Sequence, residues 1–155
     1  MRIALYEPDI PQNLGSAIRL CACLDVALDI IEPCGFPLSD KAIKRAAMDY
    51  GQAAEVETHI NFAAFHAKLK AEKAPSRLIL FTTKSAAPYT QFEFRPDDIL
   101  LFGRESAGVP QDVHDLADHR LFIPISAQTR SINVINSAAM ALGEALRQNA
   151  AFPKR

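Results

Sequence analysis

I-P-I-S-A-Q-T-R-S-I-N-V-I-N-S-A-A, residues Ile123 to Ala139, passes from the end of an apolar strand through a polar loop into a helix. The helix start carries Ser131, Asn133 and Asn136 around apolar Ile132 and Val134. A helix start usually has one capping side chain. Arg130 with three further polar residues at a place where backbone N–H groups point outward predicts a small-molecule pocket. Working outward from this stretch, strand and helix alternate along the whole chain. Short apolar strands are expected at Arg2–Tyr6, Leu28–Ile31, Arg77–Thr82, Asp98–Phe102 and Arg120–Ile125, with a weaker one at Glu55–Thr58. Helical spacing of Leu14, Ala17, Ile18, Cys21 and Leu24 follows the first strand, with Pro11 in or just before the first turn. Asp40 is expected to cap a basic helix and Asn61 a second one. A short helix is expected at Val113–Leu116, and the last helix runs from about Ile132 to Gln148. Continuous apolar strands separated by helices predict an α/β fold with an open, mainly parallel sheet flanked by helices.

The composition fits one domain of 155 residues, 49% hydrophobic and 23% charged, with a formal net charge of −1. That balance excludes a disordered chain and a global basic field, so any nucleic-acid surface must be local or assembled by pairing chains. No apolar run approaches the roughly 20 residues of a membrane span. Cys21, Cys23 and Cys34 have no C-x-x-C spacing and no His partners, which argues against zinc and for reduced, mostly buried thiols in a cytoplasmic protein.

Ligands of open parallel sheets bind beyond the carboxyl ends of the strands. Besides the opening stretch, two loops there have unusual composition: Glu7–Arg19, containing N-x-G-x-x-x-R as Asn13, Gly15 and Arg19, and Phe102–Pro110, F-G-R-E-S-A-G-V-P. The second lacks the G-K-[ST] of a phosphate-binding ATPase loop and the position of a dinucleotide fingerprint. Taken singly, each has a plain structural role available: Asn13 or Ser131 as a cap, Arg19 as a solvated charge, Gly103 and Gly108 as a turn.

Taken in order, N-x-G-x-x-x-R, F-G-x-E-x-x-G-x-P and I-P-x(6)-S-x-N resemble the SPOUT methyltransferases, in particular the TrmH-type RNA ribose 2′-O-methyltransferases. The segments Y-E-P-D-I-P-Q-N-L-G, I-I-E-P-C-G-F, Asp49-Tyr50 and Thr82-Thr83-Lys84 are similar to the small one-domain branch that methylates nucleotide 34 of tRNA. The resemblance implies a C-terminal deep trefoil knot, a homodimer with a shared active site, and S-adenosylmethionine without a metal. It implies cofactor contacts at Phe81 or Thr82, Gly103, Ile123, Ser131 and Ile132, and chemistry at Arg19 supported by Asn13, Glu105 and Asn133. An anticodon stem-loop would meet local basic groups: Lys41, Lys44 and Arg45, Arg104, Arg130, and Lys154 with Arg155. Gly143 stands where relatives commonly have an aromatic residue, and no role is carried to Ile135. Two other readings stay open: methylation of another tRNA or rRNA position, and a non-catalytic RNA- or nucleotide-binding α/β module, which S-adenosylhomocysteine binding would separate from an enzyme.

Overall fold

A computed structural model describes residues 1–39, 41, 43, 55–71, 76–85 and 87–154. The expected helix capped by Asp40, with Lys44, Arg45 and the Asp49-Tyr50 pair, lies outside the described residues, as does Arg155. Six strands form one sheet: β1 (Arg2–Tyr6), β2 (Ala27–Ile31), β3 (Val56–His59), β4 (Leu78–Phe81), β5 (Ile99–Phe102) and β6 (His119–Leu121). Their order is β3-β2-β1-β5-β4-β6, and each neighbouring pair is parallel. Four described helices accompany them: α1 (Pro11–Leu24), α2 (Phe62–Ala71), α3 (Gln111–Leu116) and α4 (Val134–Gln148). None of the described helices is long and apolar enough to cross a membrane.

The apolar runs are continuous because both faces of the sheet are covered. Ile3, Leu5, Leu28, Ile30, Leu100 and Phe102 point to a layer made by α1 and α4, where Ile18, Cys21, Ala138, Ala141 and Leu142 are buried. The alternate residues Ala4, Tyr6, Ile31, Leu80, Ile99 and Leu101 meet Phe65 and Leu69 of α2, Val113 of α3 and Ala117 just after it. Two of the three thiols answer the expected burial incompletely, since Cys21 is buried, Cys34 half-buried and Cys23 exposed. Cys23 sits on the solvent side of α1, two residues from Cys21.

Three boundaries differ from the pattern for identifiable reasons. Arg120–Ile125 reads as one strand, yet β6 ends at Leu121; Pro124 has no N–H for a ladder, and the backbone N–H of Phe122 instead pairs with the Ala87 carbonyl. The last helix starts at Val134, and its cap is Asn133, whose Oδ1 accepts from the N–H of Ile135 at 2.8 Å and of Asn136 at 3.3 Å. Ser131 therefore does not cap it. Helix α1 begins at Pro11 without a side-chain cap, so Asn13 lies inside the first turn and is buried. Asn61 does cap α2, accepting from the Ala64 N–H at 2.8 Å.

The sheet edge holds a buried ion-pair network. Asp29 accepts Arg2 Nε and Nη2 at 2.7 and 2.8 Å and contacts His59 Nε2 at 2.8 Å. Glu57 joins from β3 beside Arg2 and Lys68. Asp29, Glu57 and His59 bring their ligand atoms within 4.8 Å of one another, but the Arg2 fork already occupies the Asp29 carboxylate, so the group is an ion-pair cluster that ties β1, β2 and β3. Removing one partner of such a pair strands the others. Asp29→Ala will lower stability by roughly 3 kcal/mol, the low end for a buried pair because Arg2 keeps some solvent contact, read as a lower midpoint in urea unfolding.

Candidate active site

Strand β1 leads outward to β2 and β3 on one side of the sheet, while β5 and β4 fill the other. The direction of winding reverses beside β1, which is where open α/β sheets bind ligands. A cavity of about 530 Å³ lies there, beyond the carboxyl ends of β4 and β5 and beside the first turn of α1. Its walls include Phe81, Thr82, Gly103, Ile123, Ser131 and Ile132, together with Asn13, Arg104, Glu105 and Asn133. The three loops singled out by composition thus converge on one space.

A line of hydrogen bonds joins them. Asn13 Nδ2 donates to Glu105 Oε1 at 2.6 Å, and Asn133 Nδ2 donates to Asn13 Oδ1 at 3.0 Å. Since Asn133 Oδ1 also caps α4, every amide in the line is fixed in orientation by what it must give or accept. Residues 13, 105 and 133 are held as one unit, although 92 and 120 positions separate Asn13 from its two partners.

Asp9 holds the same unit from the other side. Its N–H donates to Glu105 Oε2 at 3.3 Å, while the Glu105 N–H returns a bond to Asp9 Oδ1 at 3.2 Å. The Ser106 N–H and hydroxyl both donate to Asp9 Oδ2. Contact with Glu105, then Ser106, holds the Asp9 carboxyl down to about 2. Burial, then the facing Asp9, pushes the Glu105 carboxyl above its ordinary range. Gly35 backs this clasp: its N–H donates to the Pro8 carbonyl at 2.9 Å, and a Cβ there would lie 2.7 Å from Asp9 Cβ. The E-P-C-G-F segment is thereby explained as a support for the Asp9 loop.

The glycine-containing loop is closed by reciprocal backbone bonds, Arg104 N–H to Gly108 carbonyl at 3.0 Å and Gly108 N–H to Arg104 carbonyl at 2.8 Å. Gly108 has φ of 68°, which favours glycine. Arg104 Nη1 pairs with Glu7 Oε2 at 3.2 Å, and the guanidinium lies over the Tyr6 ring at 5.9 Å. Its Nε is buried without a hydrogen-bond partner among the described residues.

Other expected residues fall elsewhere. Arg19 is exposed on α1 and absent from the cavity walls. Six residues along the helix put it about 9 Å from Asn13 and turned by about 240°, on a different side. Lys41, Arg130 and Lys154 are exposed; Arg130 immediately precedes the Ser131 wall. Asp9 and His114 also contribute to this end of the sheet and were given no role from sequence. Asp9 had a signal, its place in the same loop as Asn13, whereas a lone histidine on a short helix has none.

A parallel sheet with a cavity at its winding reversal, lined by glycine-rich backbone and polar side chains from three loops, defines a small-ligand-binding α/β protein with groups suited to catalysis. More particularly, the chain belongs to the SpoU rRNA Methylase family, which it matches over residues 1–143. It is 55% identical over 153 residues to a tRNA (cytidine(34)-2'-O)-methyltransferase of Beijerinckia indica, covering 98% of this chain and 94% of the relative. A protein of the same description from Escherichia coli K12 is 39% identical over 150 residues, with 96% and 93% covered. A solved structure described as giving insights into the 2-OH methylation of C/U34 on tRNA superposes with a TM-score of 0.85 at 39% identity, covering 96% of this chain and 95% of that one.

Proposed function

We propose that this protein is a single-domain methyltransferase that transfers a methyl group from S-adenosylmethionine to the ribose 2′-hydroxyl of nucleotide 34 in tRNA, in the cytoplasm and as a homodimer. The observation that carries the chemistry is the hydrogen-bonded line Asn133–Asn13–Glu105 along one cavity. The choice of substrate follows relatives similar along the whole chain.

The cavity suits S-adenosylmethionine. Its volume is in the range of small-ligand sites. Ile123, Ile132 and Leu80 offer apolar walls to a purine, and the backbone of residues 103–108 offers amides and carbonyls at its edge. Phe81, Thr82, Gly103, Ile123, Ser131 and Ile132 would hold it. When bound, it supplies an electrophilic methyl on a sulfonium. No metal is required for the displacement. The family's C-terminal knot fits the arrangement of residues 123–133 beside the 103–109 loop around one cavity.

The residues of the chain align the acceptor and stabilise charge. In-line transfer forms an oxygen–carbon bond as the sulfur–carbon bond breaks, and the hydroxyl gives up its proton. A guanidinium is always protonated and makes a poor base. Arg19 therefore acts as an electrostatic clamp on the neighbouring phosphate and the developing alkoxide. Glu105, Asn13 and Asn133 keep the ribose at the methyl end of the cavity.

Arg19 serves a site completed by the second subunit, which accounts for its position on a different side of α1 from its own cavity. Gly143 supports pairing through α4. Among the described residues a Cβ there would meet nothing within 4 Å, so none of them requires a glycine that costs a helix about 1 kcal/mol relative to alanine. Close approach of a second copy would.

RNA is gripped by Lys41, Lys44, Arg45, Arg104 and Arg130, acting from both subunits. Incubation with tRNA lacking wobble methylation, followed by mass-spectrometric nucleoside mapping, will place the new methyl on ribose 34. Its appearance at another position would overturn the substrate assignment. At subsaturating tRNA, methylation will fall steeply between 50 and 200 mM salt, by at least about 10-fold for a surface with several phosphate contacts. Indifference to salt would remove these cations from the binding surface.

A further inference from the structure

His114 opens into the same cavity and has no part in the chemistry derived above. It lies on α3, next to the core residue Val113, and is only 6% exposed. It lines the cavity with Thr82, Thr83 and Lys84 of the loop after β4. Among the described residues neither ring nitrogen has a hydrogen-bond partner, and neither counts as a buried atom left without one. A ring nitrogen without a protein partner at a cavity wall is placed to bind what enters in place of water.

The charged groups facing it come from three elements. Lys84 approaches from the loop after β4, Arg120 from β6, and Asp115 from α3 itself. Arg120 is fixed beside it, Nε donating to the His114 main-chain carbonyl at 2.7 Å. Burial, then Lys84 and Arg120, holds the imidazole pKa below the ordinary histidine value. At neutral pH the ring is uncharged, with one nitrogen donating and one accepting.

We propose that His114 is a ligand-binding residue, presenting its unprotonated ring nitrogen as a hydrogen-bond acceptor to the adenosine moiety of S-adenosylmethionine. This rests on the methyl-donor reading of the cavity. The adenine amino group and the ribose hydroxyls are donors, and the acceptor nitrogen of a neutral imidazole matches either. The zwitterionic methionine end asks for opposite charge, which this ring does not carry. Protonation would remove the acceptor and add a positive charge beside Lys84 and Arg120. The binding-competent form is the neutral one, so affinity is full above the histidine pKa and falls as pH drops through it. Glu105 lines the same cavity, with its carboxyl pushed above the ordinary range by burial and by the facing Asp9, and a non-titrating amide in place of His114 separates its contribution.

Calorimetry of S-adenosylhomocysteine binding to the full chain at pH 8 and pH 5.5 tests this, with folding of each variant checked by circular dichroism and urea midpoint. Wild type will weaken by about 10-fold at the lower pH. His114→Leu will bind about 5- to 10-fold more weakly at pH 8, the effect of one lost hydrogen bond. His114→Gln, which keeps a donor and an acceptor, will bind within about 3-fold of wild type at pH 8 and lose most of the pH dependence. Wild-type affinity in His114→Leu, or an unchanged pH dependence in His114→Gln, would overturn the role of His114 alone. Absence of binding by wild type would overturn both that role and the methyl-donor reading beneath it.

Discussion

Arg19→Ala will reduce single-turnover methylation of tRNA by about 100- to 1,000-fold, the effect of removing one group that stabilises transition-state charge, whereas Arg19→Lys will leave a readily measured rate. The argument turns on charge against geometry. Lysine retains the cation but loses the planar fork that grips phosphate in two places. If Arg19 works as a clamp, lysine recovers part of the effect through its point charge. Equal loss in both variants would remove the support for a charge clamp and favour a purely geometric role. Because Arg19 is exposed and outside the cavity of its own chain, binding of S-adenosylhomocysteine should stay within about 2-fold of wild type in either variant. A tenfold change in affinity corresponds to about 1.4 kcal/mol, more than a side chain remote from the ligand would contribute. Mixing Arg19→Ala with a Glu105 variant would restore one working site per dimer if the two residues act across the interface.

Gly103→Ala will lower S-adenosylhomocysteine affinity by about 100-fold or more and leave the protein folded. A Cβ at this position would sit 2.5 Å from the Gly108 carbonyl carbon and 2.7 Å from its Cα. Both contacts are backbone, in a turn held closed by the paired Arg104 and Gly108 bonds, so no side chain can swing aside. The turn must open, carrying Glu105 away from Asn13 and deforming the wall between them. Overpacking of this kind costs about 1–3 kcal/mol, an amount that a sheet covered on both faces can absorb. Gly143→Ala is the matched control: its Cβ has open space among the described residues, and ligand binding will be retained. Equal affinities for Gly103→Ala and wild type would mean that the turn does not border the ligand.

Much of the layer plan can be read from the chain because Leu78–Phe81 and Ile99–Phe102 are apolar at every position, as strands buried on both faces must be. The edge strand Val56–His59 is less legible. A weaker strand is expected there at Glu55–Thr58, and its polar residues make sense once Asp29 and His59 are seen to pair. Strand β6 reads too long since apolarity continues through Ile123 and Ile125, which serve the cavity and not the sheet. At the site, residue types were legible and their connections were not. No local rule joins Asn13 to Glu105 or to Asn133, because those bonds depend on strands brought together over more than ninety residues. The distinction between Ser131 and Asn133 as cap turned on a helix boundary of two residues, within the fraying that helix ends allow. Asp9 was hidden by its ordinariness, an acid between two prolines whose partners sit on another loop.

The line from Asn13 through Glu105 to Asn133 also bears on how the molecule is completed during synthesis. Its last member belongs to the final fifth of the chain, so a nascent polypeptide can pair β1 with β2 and β5 while still lacking one wall of the cavity. Such long-range closure is slow. Ligand added to finished protein will bind the closed form and not the unfolded one, adding about 2.7 kcal/mol at a concentration 100 times its dissociation constant. The cavity thus serves as a sensor of finished topology: whatever fills it selects chains whose first and last helices have found each other.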